Sequence, residues 1–229
     1  MNKFEIWDET IKHLGSSPQE IMRYWLANNM LDRGCLEKVL ESKIEFSGEV
    51  FPHLRIGWYM FANGKFSPYP DTFSVPIGVV AWLKPNLEAK AGERGFIVLF
   101  NEYYGVWSDH NLLYLSRDTS DGEKNTQNIL QKAKTLKLLE PVAEFCEATN
   151  KLIGGANAFI PAYKQLDKIA SSYSVIRDAF EAVGKTFHPF LFSSTEVDCK
   201  HVMCMDMTTA SVLKRVKTDA TYMYPIIVF

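Results

Sequence analysis

Val75-Pro76-Ile77-Gly78-Val79-Val80-Ala81-Trp82-Leu83 is a near-continuous apolar run of nine residues. Residues 95–103 form a second such run, and both are bounded by Pro and Gly. Apolar runs this short, between turn-forming residues, read as strands buried on both faces. Just upstream, residues 56–61 and 65–69 flank Ala62-Asn63-Gly64. Asn-Gly supplies the positive φ angles of a tight turn, so this stretch reads as a hairpin. Residues 85–95 are polar and read as a solvated connection.

Helical signals lie on either side of these strands. Ser17-Pro18-Gln19-Glu20 combines a capping serine, a proline at the first helical position and a capping-box glutamate. Asp32 can cap a second helix carrying Leu36, Val39 and Leu40. Residues 1–45 therefore read as an N-terminal helical appendage, and residues 46–229 as the main domain. The two short helices could be taken for a helix-turn-helix, but Glu37 and Glu41 leave little positive charge for phosphates, so they read as a packing or oligomerisation element. Further on, Asn125 can cap a helix containing Ile129, Leu130, Ala133 and Leu136. Pro141 starts another helix and Pro161 a third, and a fourth spans residues 175–183 and stops at Gly184. Residues 202–207, 211–216 and 222–229 read as three closing strands. The last is too apolar for a free edge, and is expected inside a sheet beside residues 56–61.

The chain has 229 residues, with 25 Lys+Arg against 27 Asp+Glu and a formal net charge of -2. Hydrophobic residues make up 47%, which excludes a disordered or collagen-like chain. Near-neutral charge argues against nucleic acid held by charge alone. The first eight residues carry two acids and lead into no apolar run, so no signal peptide is read. The apolar runs are far shorter than the roughly 20 residues of a membrane span. The four cysteines, Cys35, Cys146, Cys199 and Cys204, are too sparse for a disulfide scaffold. Cytoplasmic synthesis follows as an expectation, with assembly into a virion as one destination.

The second half carries a resemblance in the order of its motifs. Asp121-Gly122-Glu123-Lys124-Asn125-Thr126 precedes a Pro-led helix with a Cys, then Gly154-Gly155 and Ala158-Phe159-Ile160-Pro161. Leu191-Phe192-Ser193-Ser194-Thr195-Glu196 follows, and the chain closes on Tyr224-Pro225-Ile226-Ile227-Val228-Phe229. This resembles the C-terminal domain family of the Legionella collagen-like adhesin, whose pattern is a "WYLP" helix start, a "YWSSTE" segment and a terminal "VRPVRAF" strand. Val75-Pro76-Ile77-Gly78-Val79-Val80 is similar to the "TPIGVV" strand that often precedes it. The resemblance runs from about residue 55 to the end. It implies an α+β, C-type-lectin-like domain with antiparallel strands and two main helical regions. It also implies binding rather than catalysis. The arginines of the terminal strand are replaced by Met223-Tyr224 and Ile226-Ile227, which removes the charge a sulfated polysaccharide would need.

Within that frame, Tyr103-Tyr104-Gly105-Val106-Trp107-Ser108-Asp109-His110 is the segment richest in aromatic and polar groups. Tyr104, Trp107, Asp109, His110 and Asn111 are the candidate ligand-binding residues, with rings to stack on a sugar and carboxylate or amide groups to take its hydroxyls. The competing reading puts Tyr103, Tyr104 and Trp107 in a core beneath the loop. The Ser-Ser-Thr-Glu run reads as loop or cap hydrogen bonding rather than ligand contact. Cys199, His201 and Cys204 lack the second Cys/His pair of a structural zinc site. The same cysteines would have to serve any oxidase-like chemistry. Asp118, Asp121, Glu123 and Asn125 offer oxygens but no recognised calcium-loop spacing, and Glu102 with Asp109 is a possible carboxylate pair. No nucleophile elbow, Walker loop or dinucleotide fingerprint occurs. The expectation is a binding module without catalytic residues, metal or cofactor. Its partner would be a glycan or cell-surface receptor, not nucleic acid or membrane. The alternative is an assembly protein that uses the fold as a scaffold and forms homo-oligomers through its N-terminal helices.

Overall fold

The quoted apolar run becomes β3 (Pro76–Leu83), at the centre of a five-stranded sheet, with Val79, Val80 and Ala81 fully buried. The structure is a computed structural model that describes residues 54–61, 65–71, 75–84, 95–138, 140–152 and 158–229. All of them belong to the compact unit Pro52–Phe229. The expected helices of residues 1–45, the Asn63-Gly64 turn, the 85–94 connection and Gly154-Gly155 lie outside the described residues.

The fold is α+β, with two mostly antiparallel sheets and four helices. The first sheet contains β1 (Tyr59–Phe61), β2 (Phe66–Ser67), β3, β4 (Gly95–Leu99) and β10 (Ile226–Val228), in the order β10-β4-β3-β1-β2. The expected hairpin is present as β1 and β2, with Tyr59 opposite Ser67. The second sheet contains β5 (Tyr103–Val106), β6 (Phe190–Glu196), β7 (His201–Asp206), β8 (Ser211–Val216) and β9 (Ala220–Met223), in the order β5-β9-β6-β7-β8. Its one parallel pairing is β6 with β9.

Two expected strands are each divided between the sheets. Residues 95–103 leave the first sheet after Leu99 and enter the second at Tyr103. Residues 222–229 cross the other way, between Met223 and Ile226. Pro225 lies at the second crossing, where it has no N–H to donate and its carbonyl accepts from Leu99 N at 2.9 Å. The last strand therefore pairs with β4 (Ile226 opposite Val98), not with residues 56–61. Its outer edge is covered by Phe159, which exchanges two backbone hydrogen bonds with Ile226 at 2.9 and 3.1 Å. That cover removes the edge liability that its apolar composition would create.

Helix α1 (Gly122–Leu136) starts one turn earlier than Asn125 implies. Asp121 is the cap and accepts from Lys124 N at 2.9 Å, while Asn125 is buried within the helix. Gly122 permits this start, because a Cβ there would lie 2.4 Å from Ile160 O. Helix α2 (Pro141–Leu152) begins at the expected proline. Helix α3 (Tyr163–Ala170) begins just after Pro161, and α4 (Tyr173–Ala182) is followed by Gly184 at φ +72°.

Two cores hold these layers together. In the first, Phe61, Val79, Val98 and Ile226 of the first sheet, with Phe100 just past β4, meet Leu166, Ile169, Ile176 and Phe180 of α3 and α4, and Leu191 and Met205 of the second sheet. In the second, Ile129, Ala133, Val142 and Cys146 of α1 and α2 meet Trp107, Tyr114, Phe192, Cys204 and Met223. The second sheet thus has a core on each face, as strand alternation requires of Leu191 and Phe192.

Candidate functional site

Tyr103 and Tyr104 are neighbours on β5, so their side chains leave the second sheet on opposite faces. Tyr103 packs on Phe145 at a ring separation of 5.3 Å and joins the second core. Burial raises its phenol pKa, with the Asp109 and Glu144 charges adding to the effect. Trp107 follows the same side. It is fully buried, its indole N–H donates to Ser193 O at 3.0 Å, and it meets Tyr114 edge-on at 5.5 Å. Trp107 therefore offers no ring face to a ligand, which corrects its place among the candidates and supports the core reading for it. His110 is held through its backbone, donating N–H to Ser108 Oγ and accepting from the same hydroxyl, each at 3.0 Å. Asp109 and Asn111 are exposed beside it. The loop thus keeps Asp109, His110 and Asn111 together but separates them from Tyr104.

Beneath that loop is a buried polar cluster that local sequence reading does not find. Lys217 and Glu196 form an ion pair with both side chains fully buried. Lys217 Nζ also donates to Leu112 O at 2.8 Å and lies over the rings of Trp107 (4.8 Å) and Tyr114 (5.2 Å). The Glu196 carboxylate accepts from the backbone N–H groups of Tyr114 and Ser116, at 3.0 Å each. Each charge is thus paired and hydrogen-bonded, the condition under which burial is tolerated. Tyr114 O–H donates to Glu140, and desolvation with that acceptor raises its pKa well above the usual phenol range. Among the described residues, Glu140 Oε2 has no hydrogen-bond partner. Ser193, Ser194, Thr195 and Glu196 are buried in strand β6, not in a loop. Their hydroxyls bond to backbone distant in the chain: Ser193 Oγ donates to Met203 O and Thr195 Oγ1 to Asp118 O, each at 2.9 Å.

The opposite face is open at the sheet edge. Tyr104 is 62% exposed and stands directly across from Tyr222, with rings 4.6 Å apart. Tyr222 in turn stacks on His188 at 3.4 Å and 6°. Glu102, two residues before Tyr104, accepts from Tyr224 O–H at 3.0 Å and lies 3.9 Å from His188 Nε2. Burial lifts the Tyr224 phenol far above its ordinary value, with the Glu102 charge adding to the shift. Glu102 is therefore engaged on this face, while Asp109 sits by Tyr103, so the two do not form a carboxylate pair.

The metal and thiol candidates disperse in the same way. Cys199 is exposed in a turn, whereas Cys204 and Cys146 are buried, and burial pushes their thiols up to about 11 and about 12. Both resist forming the thiolate at neutral pH. His201 Nδ1 contacts Asp198 at 2.7 Å, and that contact holds the Asp198 carboxyl well below the usual range. Asp118 is occupied by Ser120 and Asp121 N–H groups, and Asn125 by Asp118 and Ser194. Among the described residues no group of three or more His, Cys, Asp or Glu is placed to hold a metal ion. No described helix is long and apolar enough to cross a membrane.

No family model and no curated protein matches the chain. A crystal structure of a fimbrial protein from Bacteroides ovatus ATCC 8483 is similar to it, with a TM-score of 0.60 and 15% identity. The match covers 77% of this chain and 49% of that protein, so the chain spans about half its length. At that identity the likeness is one of fold.

Proposed function

We propose that this chain is a non-enzymatic binding module that recognises a cell-surface ligand such as a glycan, in the manner of an adhesin. The observation that carries the reading is Tyr104, a large aromatic left 62% exposed on a structured strand at the edge of a sheet. Contiguous exposed apolar groups mark interaction sites, and Tyr104 continues into the half-buried ring of Tyr222. The likeness to a bacterial fimbrial protein and the resemblance to the adhesin C-terminal domain family, lectin-like fold included, support the same role. A cell surface or a virion would each present such a module. Asp109, His110 and Asn111, on the loop after β5 and apart from Tyr104, would supply a separate set of polar contacts. The test is a glycan array probed with the full chain displayed at high valency. Binding to host-surface polysaccharides is expected, and silence across the array would count heavily against the proposal.

A second reading, an assembly protein, is favoured by β8. This outermost strand leaves Val212 48% and Val216 36% exposed, and an open edge of that kind invites another chain. Light scattering on the full chain and on a version lacking residues 1–45 tests the role of the N-terminal segment. If both are monomers, that route to oligomers is removed.

A further inference from the structure

We infer that β8 takes up an extended segment of another protein, with two consecutive acidic residues set between apolar ones, as an added antiparallel strand of the second sheet. This rests on the assembly reading and names the partner of its open edge. The outermost strands of the two sheets are β2, β10, β5 and β8. β2 has two residues and β5 four, and the three of β10 are covered by Phe159. β8 has six, in unbroken register with β7 from Ser211 opposite Asp206 to Val216 opposite His201. Among the described residues it therefore lacks shortness, a bulge and a cover, three of the devices that blunt an edge. Lys217 N donates to Lys200 O, its opposite on the same ladder, at 2.9 Å. Bonded pairs alternate along an antiparallel ladder, so the backbones of Arg215, Leu213 and Ser211 bond toward β7. Val212 and Lys214, between them, turn their N–H and C=O groups outward.

The side chains select the partner. Val212, Lys214 and Val216 share the face of Met205 in the first core, and Leu213 and Arg215 that of Cys204 in the second. Helix α3 packs on β6 and β7 and α1 on β6, and every residue of β8 except Leu213 is exposed. An incoming strand therefore meets apolar side chains at Val212, Leu213 and Val216, and one cation on each face, at Lys214 and Arg215. β8 itself carries no acid. Pairing it with a second copy of itself would set Lys214 and Arg215 of both chains on one strand pair, and like charges across a ladder are destabilising. An acidic pair in the incoming strand turns that repulsion into attraction at both positions. Lys214 is oriented by Asp198 at 3.1 Å, with its side chain still half exposed. Main-chain bonds supply the affinity of strand addition, and alternate side chains its specificity. Read antiparallel, from Val216 to Val212, the complement is apolar, acidic, acidic, apolar, apolar.

The test is fluorescence anisotropy of the full chain with two labelled synthetic peptides, the acidic GTVDEVVTG and the basic GTVKRVVTG. The acidic peptide is expected to bind, and the basic one at least about fivefold more weakly. The double variant Lys214→Glu, Arg215→Glu should invert that preference. Val212→Pro removes an outward N–H without taking a bond from the ladder to β7, and should weaken the acidic peptide by about tenfold or more. Unchanged denaturation midpoints confirm that these variants are folded; should Val212→Pro not fold, the charge reversal decides alone. Equal binding of the two peptides, or a preference that survives the charge reversal, overturns the acidic partner. Binding that survives a folded Val212→Pro overturns β8 as the site. Oligomers of the full chain that Val212→Pro dissolves in the absence of peptide put a second copy on the edge and overturn the separate partner. If neither peptide binds, this inference falls, while the assembly reading stands or falls by whether light scattering finds oligomers.

Discussion

The two faces of strand β5 use aromatic residues in opposite ways. On the Tyr103 side, Trp107 and Tyr114 close over a lysine whose charge is matched by the buried carboxylate of Glu196. On the Tyr104 side, Tyr222 and His188 stack in a row whose last ring faces solvent. The same residue type is structural where it seals a polar cluster and available where it ends a row. The difference comes from position in the sheet rather than from composition, because Tyr103 and Tyr104 are adjacent in the chain.

The contrast predicts that the covered side carries stability and the open side carries almost none. Lys217→Met leaves Glu196 as a buried charge without its counterion, and should lower unfolding free energy by about 3–5 kcal/mol. Chemical denaturation measures it, and a loss below about 1 kcal/mol would show that the pair is solvated. Trp107→Phe removes the N–H that satisfies Ser193 O along with some volume, and should cost about 1–3 kcal/mol on the same assay. The buried thiols add a pH dependence. Cys204 and Cys146 ionise at about 11 and about 12 when folded, against an ordinary 9.0. A raised acid pKa means that the unfolded chain releases its protons first. The stability tied to these thiols is therefore intact below about pH 9 and is lost as pH rises toward about 12. Urea midpoints at rising pH check this, and a flat profile would place those thiols in contact with water. The smallest effect belongs to the open face: Tyr104→Ala should change stability by only about 0.5 kcal/mol, so a larger loss would mark the row as core.

The sequence makes some of this legible and hides the rest for definite reasons. β3, the β1–β2 hairpin, the Pro141 helix start and the Gly184 stop all rest on local signals, and all stand where those signals place them. The division of residues 95–103 and 222–229 between two sheets does not show, because an apolar run records burial but not which sheet supplies it. Ser193-Ser194-Thr195-Glu196 looks like a loop because its polarity is satisfied by partners far away in the chain, such as Tyr114, Met203 and Lys217. Tyr104 is recognisable as a candidate from its composition alone. Tyr222 and His188 are not, since only strand pairing brings them beside it.

The two crossings between the sheets run side by side. β4 and β5 on one strand path, and β10 and β9 on the other, form a single two-stranded ribbon that bends from the first sheet into the second, bridged at the bend by the bond from Leu99 N to Pro225 O. Neither sheet can open at that end without lifting the other. The two cores are thereby joined into one cooperative unit, and amide protons of Ile97 and Tyr222 should exchange with solvent through a common opening event rather than two separate ones.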